Sequence, residues 1–185
     1  MTPITVWTKQ HQDILRELEQ TGRHVARRDY IRRDLGEDAD LVLETYDWLA
    51  AHLPNAAGRP ADAAYPVWVS YTSDAAMLPG PGFVILELEV DRSLVASINI
   101  AKWGAILNYS YIPRDEQDAL RHKKLLADYG LSDAKAYMSR FYPQIKGEIV
   151  DSWDRLFDGE IQLGNPSAYG TIWEVKKEWI RQVRQ

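Results

Sequence analysis

Apolar and polar residues alternate through Phe83–Asp91, where Val84, Leu86, Leu88 and Val90 interleave with Ile85, Glu87 and Glu89. A repeat of two is the signature of a strand with one buried face, and it predicts a central strand here. The same rule predicts a first strand at Ile4–Thr8, ended by Lys9-Gln10-His11. It predicts another at Tyr65–Tyr71, where Val67 and Val69 face away from Trp68 and Ser70, and later strands at Gly170–Val175 and, after a short turn, up to Val183. Helical spacing takes over elsewhere. Ile14, Leu15 and Leu18 predict a helix over Gln12–Gln20 with Gly22 at its stop, and Leu41, Tyr46, Trp48, Leu49 and Leu53 predict one over Asp38–Leu53 that ends at Pro54. A charged helix over Asp115–Ala127 is broken by Gly130. Ser132 or Asp133 then caps a helix bearing Ala134, Tyr137, Met138 and Phe141, and Ile145–Phe157 reads as a final long amphipathic helix.

Asp91-Arg-Ser-Leu is expected to cap a short helical or turn segment. Thr72–Gly82, with Pro79-Gly80-Pro81-Gly82, reads as a turn or lid. Mixed strands and helices predict an α+β fold: a single domain over residues 1–185 with a central, mostly antiparallel split sheet and flanking helices.

Composition narrows the classes. With 45% apolar and 26% charged residues, a chain of 185 residues can bury a sizeable core, and a net charge of −5 gives no general attraction to phosphate backbones. A nucleic-acid ligand would therefore need a local patch. The dense basic stretch is Arg23–Arg33, with Arg23, Arg27, Arg28, Arg32, Arg33, His24 and Tyr30; Asp29 and Asp34 interrupt it and Glu37, Asp38 and Asp40 follow. It suits either a phosphate-bearing ligand or a solvated surface of ion pairs. The absence of cysteine removes disulfides, thiolate chemistry and sulfur-ligated metals. No stretch reaches the roughly 18 apolar residues of a membrane span, so a cytoplasmic location with no membrane partner is expected.

Candidate chemistry centres on aromatic rings with polar tips, since there are seven Trp and ten Tyr against three Phe. Trp103, Asn108 and Tyr111, just after the central strand, are expected to form one wall of a ligand pocket, and Thr8 and Gln10 to enter it from the first strand end. His11, His24, His52 and His122 are scattered without metal-site spacing; neither a Gly-x-Ser-x-Gly elbow nor a Gly-x-x-x-x-Gly-Lys-Ser/Thr loop occurs. Such a cleft suits a planar base or nicotinamide, with one carboxylate holding a ribose hydroxyl and stabilising charge at an anomeric carbon. Glu174, beside Trp173, is the candidate; the alternative is a strand carboxylate paired with Lys176 or Lys177.

Five segments resemble one family in order and over nearly the whole chain: Val6-Trp7-Thr8-Lys9-Gln10, Tyr65-Pro66-Val67-Trp68, Phe83–Asn108 with its late Trp103 and Leu107-Asn108, Ser152–Asp158, and Thr171-Ile172-Trp173-Glu174-Val175. The family is the bacterial one catalogued as domain of unknown function 3841, which brings no reaction with it. More distantly, the chain resembles the ADP-ribosyltransferase superfamily, including toxin members that modify nucleic acid. There a first strand ends in a substrate-contacting residue, a middle strand leads to an aromatic near the nicotinamide, and a late strand brings the catalytic glutamate. Thr8 or Gln10, Trp103 or Tyr111, and Glu174 match those places by order. The sequence departs from the pattern in having Thr8 in place of His or Arg, and no Gln-x-Glu or Glu-x-Glu at Glu174.

The resemblance implies an ADP-ribosyltransferase-like fold that uses NAD as substrate and transfers ADP-ribose to a nucleic-acid or protein acceptor, as a toxin or defence component. Trp103 or Tyr111 would stack on nicotinamide, Thr8 and Gln10 would orient its amide or ribose, Arg27 or Arg28 would meet the pyrophosphate, and Glu174 would be catalytic. Two other classes compete with it. One is a nucleotide or nucleic-acid-binding module without turnover. The other is an interaction subunit of a toxin-antitoxin system, with a partner such as an antitoxin on Tyr137 and Phe141.

Overall fold

The computed structural model describes residues 2–29, 32, 39–76 and 80–185, with the backbone alone at Leu41. It shows a mixed helix and strand fold with antiparallel sheets. The chain divides into two compact units, Met1–Ser97 with Tyr169–Gln185, and Ile98–Ala168.

In the first unit, β1 (Pro3–His11) extends three residues beyond the expected end, because Lys9, Gln10 and His11 pair with Ile85, Val84 and Phe83. Their partner strand, numbered β4 in chain order, is Phe83–Asp91, the range that the alternation predicts. It lies between β1 and the terminal β8 (Ile180–Arg184). Val84, Leu86, Leu88 and Val90 enter a core that also holds Val6, Ile14, Leu18, Val67 and Val69.

Helix α1 (Asp13–Thr21) buries Ile14 and Leu18 and ends at Gly22, whose left-handed φ of 77° and N–H to the Leu18 carbonyl close the last turn. The tight stop sends the chain straight into β2 (Arg23–His24), a two-residue strand that periodicity does not reveal; it pairs with β7 (Val175–Lys176). Helix α2 (Ala39–His52) buries Leu43, Leu49 and Ala50.

A second three-stranded sheet has the order β3 (Val67–Val69), β6 (Ala168–Ile172), β5 (Ala96–Asn99). Gly170 of β6 faces Val69, and a Cβ there would come within 2.6 Å of Val95 and 2.8 Å of Val69. The strand expected over Gly170–Val175 is two strands. The chain leaves the β3 partnership at Ile172 and joins β2 at Val175, so Trp173 and Glu174 form the step between sheets.

The second unit is helical. Asn99 accepts the Lys102 amide and caps α3 (Ile100–Leu107); Asp115 accepts the Asp118 amide and caps α4 (Glu116–Tyr129). Ser132 caps α5 (Asp133–Met138), and Pro143 opens α6 (Pro143–Ser152). The long helix expected over Ile145–Phe157 is cut at Ser152, beyond which Trp153–Phe157 tightens to a 3₁₀ turn. Ser152 donates its hydroxyl to the Ile149 carbonyl at 2.6 Å and accepts the Ile112 amide at 2.9 Å. Buried Lys102 then closes the turn by donating to the Arg155 and Asp158 carbonyls, at 2.8 and 2.6 Å. Burial lowers its pKa from the ordinary lysine value.

Candidate functional site

The polar end of β1 opens onto a hollow of ≈ 670 Å³ bounded by α1, His24, Ala26, Arg27, Tyr46 and Pro66 to Trp68. Thr8 and Gln10 share one face of the strand through its period of two. Thr8 is buried, and its hydroxyl donates to the Trp68 carbonyl at 2.8 Å while accepting the Gln10 side-chain N–H at 2.8 Å. Gln10 lines the hollow with its amide orientation fixed from beneath. Phe83, opposite His11 in the ladder, adds a ring that is 43% exposed, with the Lys9 ammonium 5.3 Å from its centroid.

Charge in the hollow is mixed and locally paired. Glu17, from the middle of α1, meets buried His24 at 2.7 Å (Oε2 to Nδ1) and accepts from Arg27 at 3.4 Å (Oε1). Lys9 and Arg16 add cations at the rim, with Asp13 contacted by His11 at 3.1 Å and Arg16 at 3.4 Å.

Glu174 lines a different hollow of the same unit, of ≈ 240 Å³, together with Trp173 and Trp179. Its side chain is 20% exposed and is paired with Arg23 at 3.3 Å and Lys176 at 3.4 Å; Arg23 also holds Asp62 at 2.7 Å. Arg28 meets Asp47 at 3.0 Å, and that carboxylate accepts the buried Tyr65 hydroxyl at 2.7 Å. Arg32 meets Asp40 at 2.6 Å. Of the basic stretch, Tyr30 and Arg33 lie outside the described residues, as do Asp34, Glu37, Asp38 and, in the expected lid, Pro79.

In the second unit Trp103 is buried, and Asn108 ends α3 with its side-chain N–H on the Gly104 carbonyl at 2.7 Å. Tyr111 is also buried, stacked on His122 at 3.9 Å between ring centroids, and its hydroxyl donates to both Asp118 oxygens at 2.8 and 2.9 Å. Burial favours the neutral form of Asp118, yet the Arg114 amide, the Tyr111 hydroxyl, Arg121 and Arg155 together hold its pKa well below the usual carboxylate range. Burial also opposes charge on His122, but Asp133 at 2.6 Å and Glu148 at 2.9 Å outweigh it and raise the imidazole pKa. Tyr137 is buried between Tyr109 and Trp153, whereas Met138 and Phe141 of the expected partner stripe are exposed, Phe141 by 87%.

The structure thus brings Gln10 and Arg27 to one hollow, with Thr8 buried beneath Gln10. Glu174 lines another, Arg28 is held on Asp47, and Trp103, Asn108 and Tyr111 belong to the second unit. Glu17, Trp68 and Phe83 were not singled out from sequence. Phe83 had a usable signal, since the alternation puts it on the outward face with Glu87 and Glu89; Glu17 had none that separates it from Glu19 or Arg16 on a charged helix. Among the described residues no group of three or more His, Asp or Glu could hold a metal ion, and no helix is long and apolar enough to cross a membrane.

Fold and site together define a mixed α+β protein with antiparallel sheets and a polar hollow edged by aromatic rings. The chain belongs to the family described as Domain of unknown function (DUF3841), whose model matches residues 5–181. No curated protein and no solved structure matches it.

Proposed function

We propose that the chain binds NAD in the hollow at the end of β1 and transfers its ADP-ribose to a macromolecular acceptor, nucleic acid or protein. The supporting observation is the convergence of Gln10, Arg27, Trp68 and Phe83 on a hollow of ≈ 670 Å³, within the range of about 300–1,000 Å³ usual for small-molecule sites. Flat rings find aromatic faces there. Gln10, with its N–H on Thr8, presents a carbonyl oxygen to a ligand amide, and Arg27 supplies a cation for the pyrophosphate.

In the reaction, the bond between the nicotinamide nitrogen and the ribose anomeric carbon breaks and its electron pair leaves with nicotinamide. A nucleophilic oxygen or nitrogen of the acceptor then bonds the same carbon and loses its proton to solvent. A carboxylate near the ribose lowers the barrier by stabilising the positive charge that develops on the sugar. Glu174, matched to that role by its place in the chain, lines the smaller hollow and not this one, so its part in the transfer rests on the effect of its substitution. The transfer needs no resident metal.

Incubating the protein with phosphorus-labelled NAD and mixed RNA, DNA and protein acceptors tests this reading. Label on an acceptor together with nicotinamide release is expected, and absence of binding, release and label together overturns it. An unchanged rate in Glu174→Gln would remove Glu174 from the mechanism and leave the class standing.

The ion pairs of Glu174 with Arg23 and Lys176 favour a second reading, a nucleotide or nucleic-acid-binding module without turnover. It predicts NAD or AMP binding that weakens with salt, with no nicotinamide released.

A further inference from the structure

We infer that Glu17 is the carboxylate that receives the sugar hydroxyls of a nucleotide in the larger hollow, so that the site selects ribonucleotides over 2′-deoxyribonucleotides. The inference rests on the nucleotide reading of that hollow. Among the described residues two carboxylates line the hollow, Asp13 and Glu17. Asp13 is exposed and already contacted by His11 and Arg16. Glu17 is only 19% exposed, and its orientation is set by the buried His24 imidazole at 2.7 Å. A carboxylate offers about four acceptor positions, and the contacts to His24 and Arg27 take two.

The arrangement matches the chemistry of a nucleotide at short range. A ribonucleotide carries a phosphate ester and hydroxyl donors on one five-membered ring, and the hollow sets an acceptor, Glu17, beside a cation, Arg27, at 3.4 Å. Gln10 and Phe83 border the same hollow and can address the edge and the face of the base. Because His24 holds the carboxylate before any ligand arrives, little ordering is needed on binding. A 2′-deoxy sugar would leave the carboxylate facing a C–H, and the lost charge-assisted hydrogen bond is the source of discrimination.

Calorimetric titration of the full chain with AMP and with 2′-deoxy-AMP at matched salt tests the assignment. The wild type is expected to bind AMP about tenfold more tightly, a size set by one hydrogen bond to a charged group. In Glu17→Gln the preference is expected to fall to within about twofold. Should that variant fail to fold once the His24 contact is weakened, Glu17→Asp keeps the charge but shortens the reach and is expected to lose the preference as well, with circular dichroism reporting the fold. Equal affinities of the wild type for AMP and 2′-deoxy-AMP would overturn the inference and leave the nucleotide site intact, as would an undiminished preference in a folded Glu17 variant. Failure of NAD, AMP and 2′-deoxy-AMP all to bind would overturn the nucleotide reading and this inference with it.

Discussion

The first unit and the second both gather charged and aromatic side chains, but they use them in opposite ways. Around the end of β1, Gln10, Glu17, Arg27 and Phe83 border a hollow and keep part of their surface towards it. Around Asp118, by contrast, Tyr111, Arg121, Arg155 and the Arg114 amide close on a single buried carboxylate, while His122 is held by Asp133 and Glu148. In the second cluster the pKa of Asp118 is held down and that of His122 is raised, yet its groups are already satisfied by one another. A dense set of titratable residues therefore marks a site only where a cavity gives it something further to bind.

The largest expected effect breaks the closed cluster. Asp118→Ala leaves Arg121, Arg155 and Tyr111 without their shared acceptor and should cost about 3–5 kcal/mol in denaturant unfolding; a loss below about 1 kcal/mol would show that the network is dispensable. Next is the packing of the first unit. Gly170→Ala drives a methyl into Val95 and Val69 and should cost about 1–3 kcal/mol by the same measurement.

The open hollow should respond in binding. Arg27→Ala is expected to weaken AMP affinity roughly tenfold while moving stability little. An unchanged titration curve would take the phosphate away from this hollow.

The pH profile sharpens the contrast further. Since His122 has its pKa raised on folding, its contribution is complete below the ordinary imidazole pKa and is lost as pH rises through the raised value. Asp118 and Glu148 have theirs lowered, so their contributions are complete above the ordinary carboxylate range and disappear as pH falls through the lowered values. Unfolding followed across pH should show a weakening as pH rises above the ordinary imidazole pKa that is absent in His122→Gln. The smallest effect belongs to the exposed Lys124–Asp128 pair at 3.0 Å, where Lys124→Ala should change stability by about 0.5 kcal/mol or less.

What could be read from sequence was local. The range of β4 follows from a repeat of two with Val84, Leu86, Leu88 and Val90 on one face, and the end of α1 from a glycine that takes a left-handed φ. The pairing of β2 with β7 was not legible, because two residues are too short to show a period and the partners, Arg23 with Lys176 and His24 with Val175, come from opposite ends of the chain. The step at Trp173 and Glu174 was hidden for a related reason. Apolar content runs smoothly through Val175, and only the change of sheet partner interrupts the strand.

Of the residues that border the larger hollow, Gln10 stood out by its place at a strand end and Arg27 by its charge. Tyr111 stood out because a phenol needs a partner, but nothing in the sequence says that the partner is Asp118, one turn into the next helix. Glu17 becomes distinct only when α1 turns it towards His24 across the Gly22 stop.

Backbone amide shifts of the nitrogen-15-labelled chain during titration with AMP test the central claim most directly. The account predicts saturable changes at Gln10, Asp13, Glu17, His24, Arg27 and Phe83, with Tyr111, Asp118 and His122 unmoved. Changes centred on Tyr111 and His122 instead, or no change at the end of the first strand up to millimolar AMP, would contradict it.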